Sequence, residues 1–232
     1  EAAALGVPTA LGLPRKLHSA RLKLAKLARD PAAVLGLQAT AVPTETRIGD
    51  LFTADADDRA TLVAAASAAV PRVLHQIWVG GPPPVACAAW AGYARRHGWT
   101  YQLWDEPALA AKGFTDNPLW RSMVAAGDLP GAVDVARYAL LFEAGGLYLD
   151  CDWYPARADL PPEAVLPPLG LSVLAEPAPR LVAGQSLLLS NALIAAPPPH
   201  PALARLLAVL PEVALRLPGG PAWWVTGPLS FT

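Results

Sequence analysis

Apolar positions before residue 70 recur at helical spacing, whereas later ones gather into short runs separated by helical stretches. Leu13, Leu17, Ala20, Leu24 and Leu27 follow one another at intervals of four and three and form one stripe. That stripe predicts a surface helix packed through its leucines on its own domain or on a subunit. Asp57 and Asp58 read as the N-cap of a second helix ending near Val70. From Arg72 to Val79 a run rich in Val, Leu, Ile and Trp predicts a strand, ended by Gly80-Gly81 and three prolines. A helix over 86–97, a strand over 100–104 and short helical segments through 107–127 follow. Residues 131–144 predict a helix stopped by Gly145-Gly146, with a short strand at 147–149 behind it. Strands near 171–175 and 187–195 and a helix over 202–215 come last. Alternating strands and helices predict an α/β domain with a mostly parallel sheet over 71–232, preceded by a helical extension over 1–70.

Composition narrows the function classes. Hydrophobic residues make up 53% of the 232 positions and charged residues 16%, with a net charge of −1. Disorder needs the opposite balance, and a nucleic-acid partner needs a basic excess that is absent. Cys87 and Cys151, the two cysteines, are too few for a disulfide framework or a four-cysteine zinc site. The mean hydropathy of +0.32 raises the question of a membrane span, and Leu181 to Ala204 carries no charge. Pro197, Pro198, Pro199 and Pro201 break that stretch, so it reads as a buried strand, a turn and a helix start. No signal peptide is visible, yet the chain begins at Glu1 and stops at Thr232 in mid-pattern, so both ends read as cut. The expected location is cytoplasmic, or peripheral to the inner face of the membrane. Arg15, Lys16, Arg21, Lys23, Lys26 and Arg29 surround the leucine stripe, with no acid between Glu1 and Asp30. A second reading of residues 13–29 is therefore a helix lying on an anionic membrane.

The densest chemistry lies between residues 134 and 152. On a helix, Asp134, Arg137, Tyr138 and Leu141 share a face. Asp150 and Asp152 follow a strand at its carboxyl end, where open α/β sheets place ligands. If the backbone stays extended there, both carboxylates point the same way, and they repel each other unless a hard cation such as Mg²⁺ or Mn²⁺ joins them. Asp55-Ala56-Asp57 repeats the spacing without a strand or a glycine pair before it, and a capping role suffices there. Taken alone, Asp134 and Arg137 would be a surface ion pair worth roughly 0.2–0.5 kcal/mol; their place upstream of Asp150 favours a functional role. Val73 to Gly81 is an apolar strand running into a Gly-Gly loop, and Trp78 there offers a ring face for a base, or a core tryptophan. His75 reads as a histidine hydrogen-bonded inside the fold.

Together, Leu-His-Gln-Ile-Trp-Val-Gly-Gly (74–81), Leu-Trp-Asp-Glu (103–106), Asp-x-x-Arg-Tyr (134–138) and Gly-Gly-Leu-Tyr-Leu-Asp-Cys-Asp (145–152) resemble the DXD-containing sugar transferases of the glycosyltransferase 32 type. That group includes the yeast initiating α-mannosyltransferase, bacterial capsular polysaccharide transferases and, more distantly, the clostridial glucosylating toxins. Further matches are Ser190-Asn191, His200-Pro201 and Thr226-Gly227-Pro228; residues 1–70 lie outside the resemblance. It implies a GT-A fold and a metal-dependent retaining hexosyltransferase that moves a sugar from a UDP- or GDP-linked donor, in polysaccharide synthesis or a related process. The acceptor would be a glycan, a lipid-linked group or another molecule. By position, Asp152 would ligate Mn²⁺ or Mg²⁺, and Asp150 would hold the ribose or sugar and the metal through water. Asp134, Arg137 and Tyr138 would grip the donor, Trp78 and the Val79 backbone would hold the base, and Asn191 would lie near the reacting carbon. A family segment beyond Thr-Gly-Pro closes over the diphosphate, and this chain ends at Thr232. Two other readings remain: a catalytically silent nucleotide-sugar-binding module of the same fold, and a metal-dependent phosphohydrolase built on Asp150 and Asp152.

Overall fold

In the computed structural model the described residues are 6–44, 47–52, 56–176 and 187–232. The Asp55 repeat and the start of the charge-free stretch at 181–186 lie outside them, as do the side chains of Asp57 and Asp58. The helices are α1 (Arg15–Leu27), α2 (Pro31–Ala39), α3 (Ala56–Ala65), α4 (Val85–Arg96), α5 (Glu106–Ala111), α6 (Pro118–Ala125), α7 (Leu129–Ala144), α8 (Pro201–Arg216), α9 (Ala222–Val225) and α10 (Pro228–Phe231). The strands are β1 (Val73–Ile77), β2 (Thr100–Trp104), β3 (Gly146–Leu149), β4 (Ser172–Ala175) and β5 (Leu189–Ala196). The second N-terminal helix ends at Ala65, ahead of the expected Val70.

The strands form one sheet in the order β2-β1-β3-β5-β4. β1 is parallel to β2 and to β3, and β5 runs antiparallel to β3. By compactness the chain falls into two units: residues 1–53, 175–190 and 209–232, and residues 54–174 and 191–208. The second unit holds β1 to β3, α4 and α7.

Alternation along β3 sorts its side chains between two layers. Leu147 and Leu149 join Leu74, Trp90, Tyr93 and Leu193 in one buried cluster. Tyr148, of opposite parity, lies under the Arg137 guanidinium of α7, 4.5 Å from ring centroid to Cζ. α7 starts at Asp128, whose carboxylate accepts from the Gly131 N–H at 3.1 Å, an N-cap that satisfies one orphan donor. It ends at Gly145, and the next residue enters β3 at once. Gly146 has φ +105°, and a Cβ there would lie 2.6 Å from the Val73 carbonyl oxygen. Glycine is what allows β3 to lie this close to β1.

The N-terminal helix forms as expected, but its leucine stripe does not cover a core. Leu17, Leu24 and Leu27 are 49, 65 and 81% exposed, whereas His18 and Ala25 are buried. The His18 ring bonds the Thr9 hydroxyl at 3.0 Å and the Leu37 carbonyl at 2.7 Å. Those two bonds set a different side of the helix inward.

Candidate functional site

The strand order places a switch point between β1 and β3, because the chain leaves β1 toward β2 and returns on the other side. In open α/β sheets ligands bind outside the carboxyl ends of the strands at that crevice. Trp78 and Val79 follow β1, and Asp150 to Asp152 follow β3. The two ends are stitched together. Gln76 donates to the Asp150 carbonyl at 3.2 Å, and Cys151 Sγ lies 3.3 Å from the Ile77 carbonyl. Tyr101 on β2 donates to the Gln76 amide oxygen at 2.9 Å, which orients that amide.

Arg137 is the hub of a buried polar cluster. Its guanidinium lies 3.2 Å from Asp134 Oδ1 and 2.8 Å from Asp150 Oδ1, and it donates to the Asn191 carbonyl at 2.6 Å. The Asn191 amide donates to Asp134 Oδ1 and to the Tyr138 hydroxyl, both at 2.8 Å. Tyr148 donates to Asp150 Oδ1 at 2.9 Å. Asp134, Arg137, Tyr138 and Asn191 are all buried, so the surface ion pair considered for residues 134 and 137 does not exist. Burial opposes the charge on Arg137, but Tyr148, Asp150 and Asp134 outweigh it and hold the pKa above its ordinary value. Burial pushes the Asp150 carboxyl up; Arg137 and the Tyr148 hydroxyl pull it back, and Asp152 pushes it up again. One guanidinium thus faces two carboxylates, and the charge of Asp152 acts on Asp150 from the outer side.

Beyond Leu149 the backbone turns at Cys151 and Asp152 instead of staying extended. Asp150 stays on the Tyr148 side and meets Arg137, while Asp152 is exposed and has no hydrogen bond or ion pair among the described residues. Trp78 and Val79 are half-buried. Two buried donors, Trp78 Nε1 and Arg137 Nε, have no partner among the described residues.

His75 takes the structural role expected of it. Trp104 Nε1 donates to its Nδ1 at 3.1 Å, and its Nε2 lies 3.0 Å from the Gly145 carbonyl. The ring is therefore neutral, with the proton on Nε2. Burial lowers its pKa to about 4 against the raising effect of the Gly145 contact. Sequence reasoning assigned no role to Tyr148 or Gln76, although both orient Asp150. The signal for Tyr148 was present, since residues 148 and 150 share one side of an extended strand; Gln76 had none, because its partner is 74 positions away.

No family model matches this chain, and no curated protein matches it. Among solved structures it is similar to the PaToxG glycosyltransferase, with 14% identity and a TM-score of 0.53 over 81% of this chain and 76% of that one. The fold is GT-A-like. The catalytic domain of alpha-toxin from Clostridium novyi also aligns, at 11% identity and a TM-score of 0.44 over 87% and 67% of the two chains; an overlap so loose carries no argument. The mixed sheet, with β5 antiparallel beside a parallel core, agrees with the α/β architecture expected from the sequence. Among the described residues no helix is long and apolar enough to cross a membrane.

Proposed function

We propose that the protein is a metal-dependent glycosyltransferase that takes a nucleotide sugar as donor, bound in the crevice between the carboxyl ends of β1 and β3. The observation that carries this reading is the buried Asp134–Arg137 pair joined to half-buried Asp150 at that crevice, with an exposed carboxylate, Asp152, two residues beyond. A chain gains little stability by taking such charges out of water, so their presence at a sheet switch point favours a ligand. Trp78 and the Val79 backbone would face the base, and Asp134, Arg137, Tyr138 and Asn191 would take sugar or phosphate oxygens.

The donor chemistry suits a hard divalent cation. Asp150 Oδ1 is occupied by Arg137 and Tyr148, its Oδ2 has no partner among the described residues, and Asp152 is exposed. No group of three or more His, Cys, Asp or Glu side chains placed to hold a metal ion among themselves occurs among the described residues. Two carboxylates with remaining positions left to water and phosphate are what Mg²⁺ or Mn²⁺ accepts beside a nucleotide. When bound, the ion would neutralise the diphosphate leaving group. Arg137 adds a fixed positive charge that needs no reorganisation as the leaving group gains charge, and Asn191 and Tyr148 hold the two carboxylates beside it. Retention of configuration and a hexosyl donor come from the family resemblance, as does a glycan or lipid-linked acceptor; acceptor contacts are assigned to the loop after Gly81 and to residues 113–130.

The test is donor hydrolysis by the full-length protein with Mn²⁺ across UDP- and GDP-sugars, in wild type and Asp152→Ala. Wild type releases sugar only with metal, and Asp152→Ala stays folded and loses at least about a hundredfold in rate. Equal turnover in the variant refutes the reading. Tight donor binding without turnover selects the silent binding module, and phosphate release without sugar transfer selects the phosphohydrolase.

A further inference from the structure

Helix α1 has two apolar faces, and only one is covered. His18 and Ala25 are buried, and Leu22 beside them is half-buried. At about 100° per residue, Leu17, Ala20, Leu24 and Leu27 span an arc of roughly 80°, centred roughly 150° from the buried face. Arg21 borders that arc on one side, and Lys16 and Lys23 border it on the other. Along the basic border lies a cavity of about 510 Å³, lined by Arg15, Lys16, Ser19 and Lys23 of α1 and by Val42 and Trp223. It belongs wholly to the first compact unit.

We propose that α1 docks the protein on a bilayer rich in acidic phospholipid. Leu17, Leu24 and Leu27 enter the acyl boundary, and Arg15, Lys16 and Lys23 surround a lipid phosphate seated in the cavity. Both halves of the surface are used at once. Apolar chains take the leucines, while Arg21 on one side and Lys16 and Lys23 on the other reach up to the headgroups. The helix has 13 residues and is about 20 Å long, so it lies in the interface and does not span. A second copy of α1 is a poor occupant, since it would bring two sets of five cations together without an acid between Glu1 and Asp30. The inference does not rest on the glycosyl-transfer reading, and its test uses no enzymatic readout.

The experiment is sedimentation of the whole chain with vesicles of phosphatidylcholine alone, and with vesicles of phosphatidylcholine mixed with phosphatidylserine. Wild type sediments with the mixed vesicles, remains in solution with the neutral ones, and is partly released by salt. Combined Leu17→Gln, Leu24→Gln and Leu27→Gln lowers partitioning at least about tenfold with an unchanged unfolding midpoint. Lys16→Gln with Lys23→Gln, both exposed, lowers it by roughly fivefold per charge removed. Equal binding to both vesicle types overturns the proposal. So does binding that needs the lysines but survives loss of the leucines, which marks an anion site only, and so does a leucine-dependent dimer without vesicles.

Discussion

Helices α7 and α1 invert the usual arrangement in opposite directions. α7 carries Asp134 and Arg137 on a buried face, and α1 carries three leucines on an exposed one. Both departures cost free energy, since buried ions lose hydration and exposed leucines forgo burial. In α7 the cost is offset by mutual pairing, because the Arg137 guanidinium meets Asp134, Asp150 and the Asn191 carbonyl, and the Asn191 amide bonds Asp134 in turn. In α1 nothing within the described residues offsets it. A buried, paired polar cluster marks a place where the fold holds its chemistry ready, whereas an uncovered apolar arc marks a surface that the described residues leave open.

The contrast can be broken most sharply at Arg137. Arg137→Leu leaves buried Asp134 and half-buried Asp150 without their cation, and unfolding by denaturant should show a loss of about 3–5 kcal/mol; a loss near zero would mean the carboxylates find water instead. At the far end of α7, His75 predicts an acid-sensitive fold. Its folded pKa of about 4 lies below the ordinary 6.5, so between these values the unfolded chain binds more protons. The stabilisation is therefore complete above pH 6.5 and falls away toward pH 4, by about 3 kcal/mol in all. Burial lowers the pKa of His200 as well, so the slope due to His75 is the difference between wild type and His75→Gln, read from unfolding curves across that range. Asn191→Ala removes the amide that bonds both Asp134 and Tyr138, and should cost about 1–3 kcal/mol by the same measurement. The smallest effect belongs to the other helix. Leu24→Gln should change stability by no more than about 0.5 kcal/mol, and a clear destabilisation would show that the leucine arc is covered after all.

Much of the site could be read from residue types and spacing. Asp134, Arg137 and Tyr138 occupy one face of one helix, and Asp150 follows a strand at its carboxyl end. What spacing could not convey was that Asp150 and Arg137 form one ion pair, because α7 and the end of β3 meet only through the fold, and that the turn at Cys151 and Asp152 sends residue 152 elsewhere. Nor could it convey that Asn191, over fifty positions from Asp134, completes the cluster through an antiparallel strand. On the N-terminal helix the leucine periodicity did mark a helix, but the described residues do not cover that stripe as packing on its own domain would require. A stripe with the right spacing predicts a helix, but burial depends on what else on that helix has a better partner, and His18 had two.

By itself, then, the sequence determined which segments are helices and strands, where glycines must stand, and which charges are scarce enough to matter. Local sterics and periodicity act over a few residues, and no distant contact is needed to set them. Tertiary structure alone decided the strand order that opens a crevice beside β1, the pairing of Asp150 with Arg137, and which of two apolar arcs on α1 faces inward. Those outcomes depend on groups far apart in the chain competing for the same partner, and such a competition is settled only when the whole fold has formed.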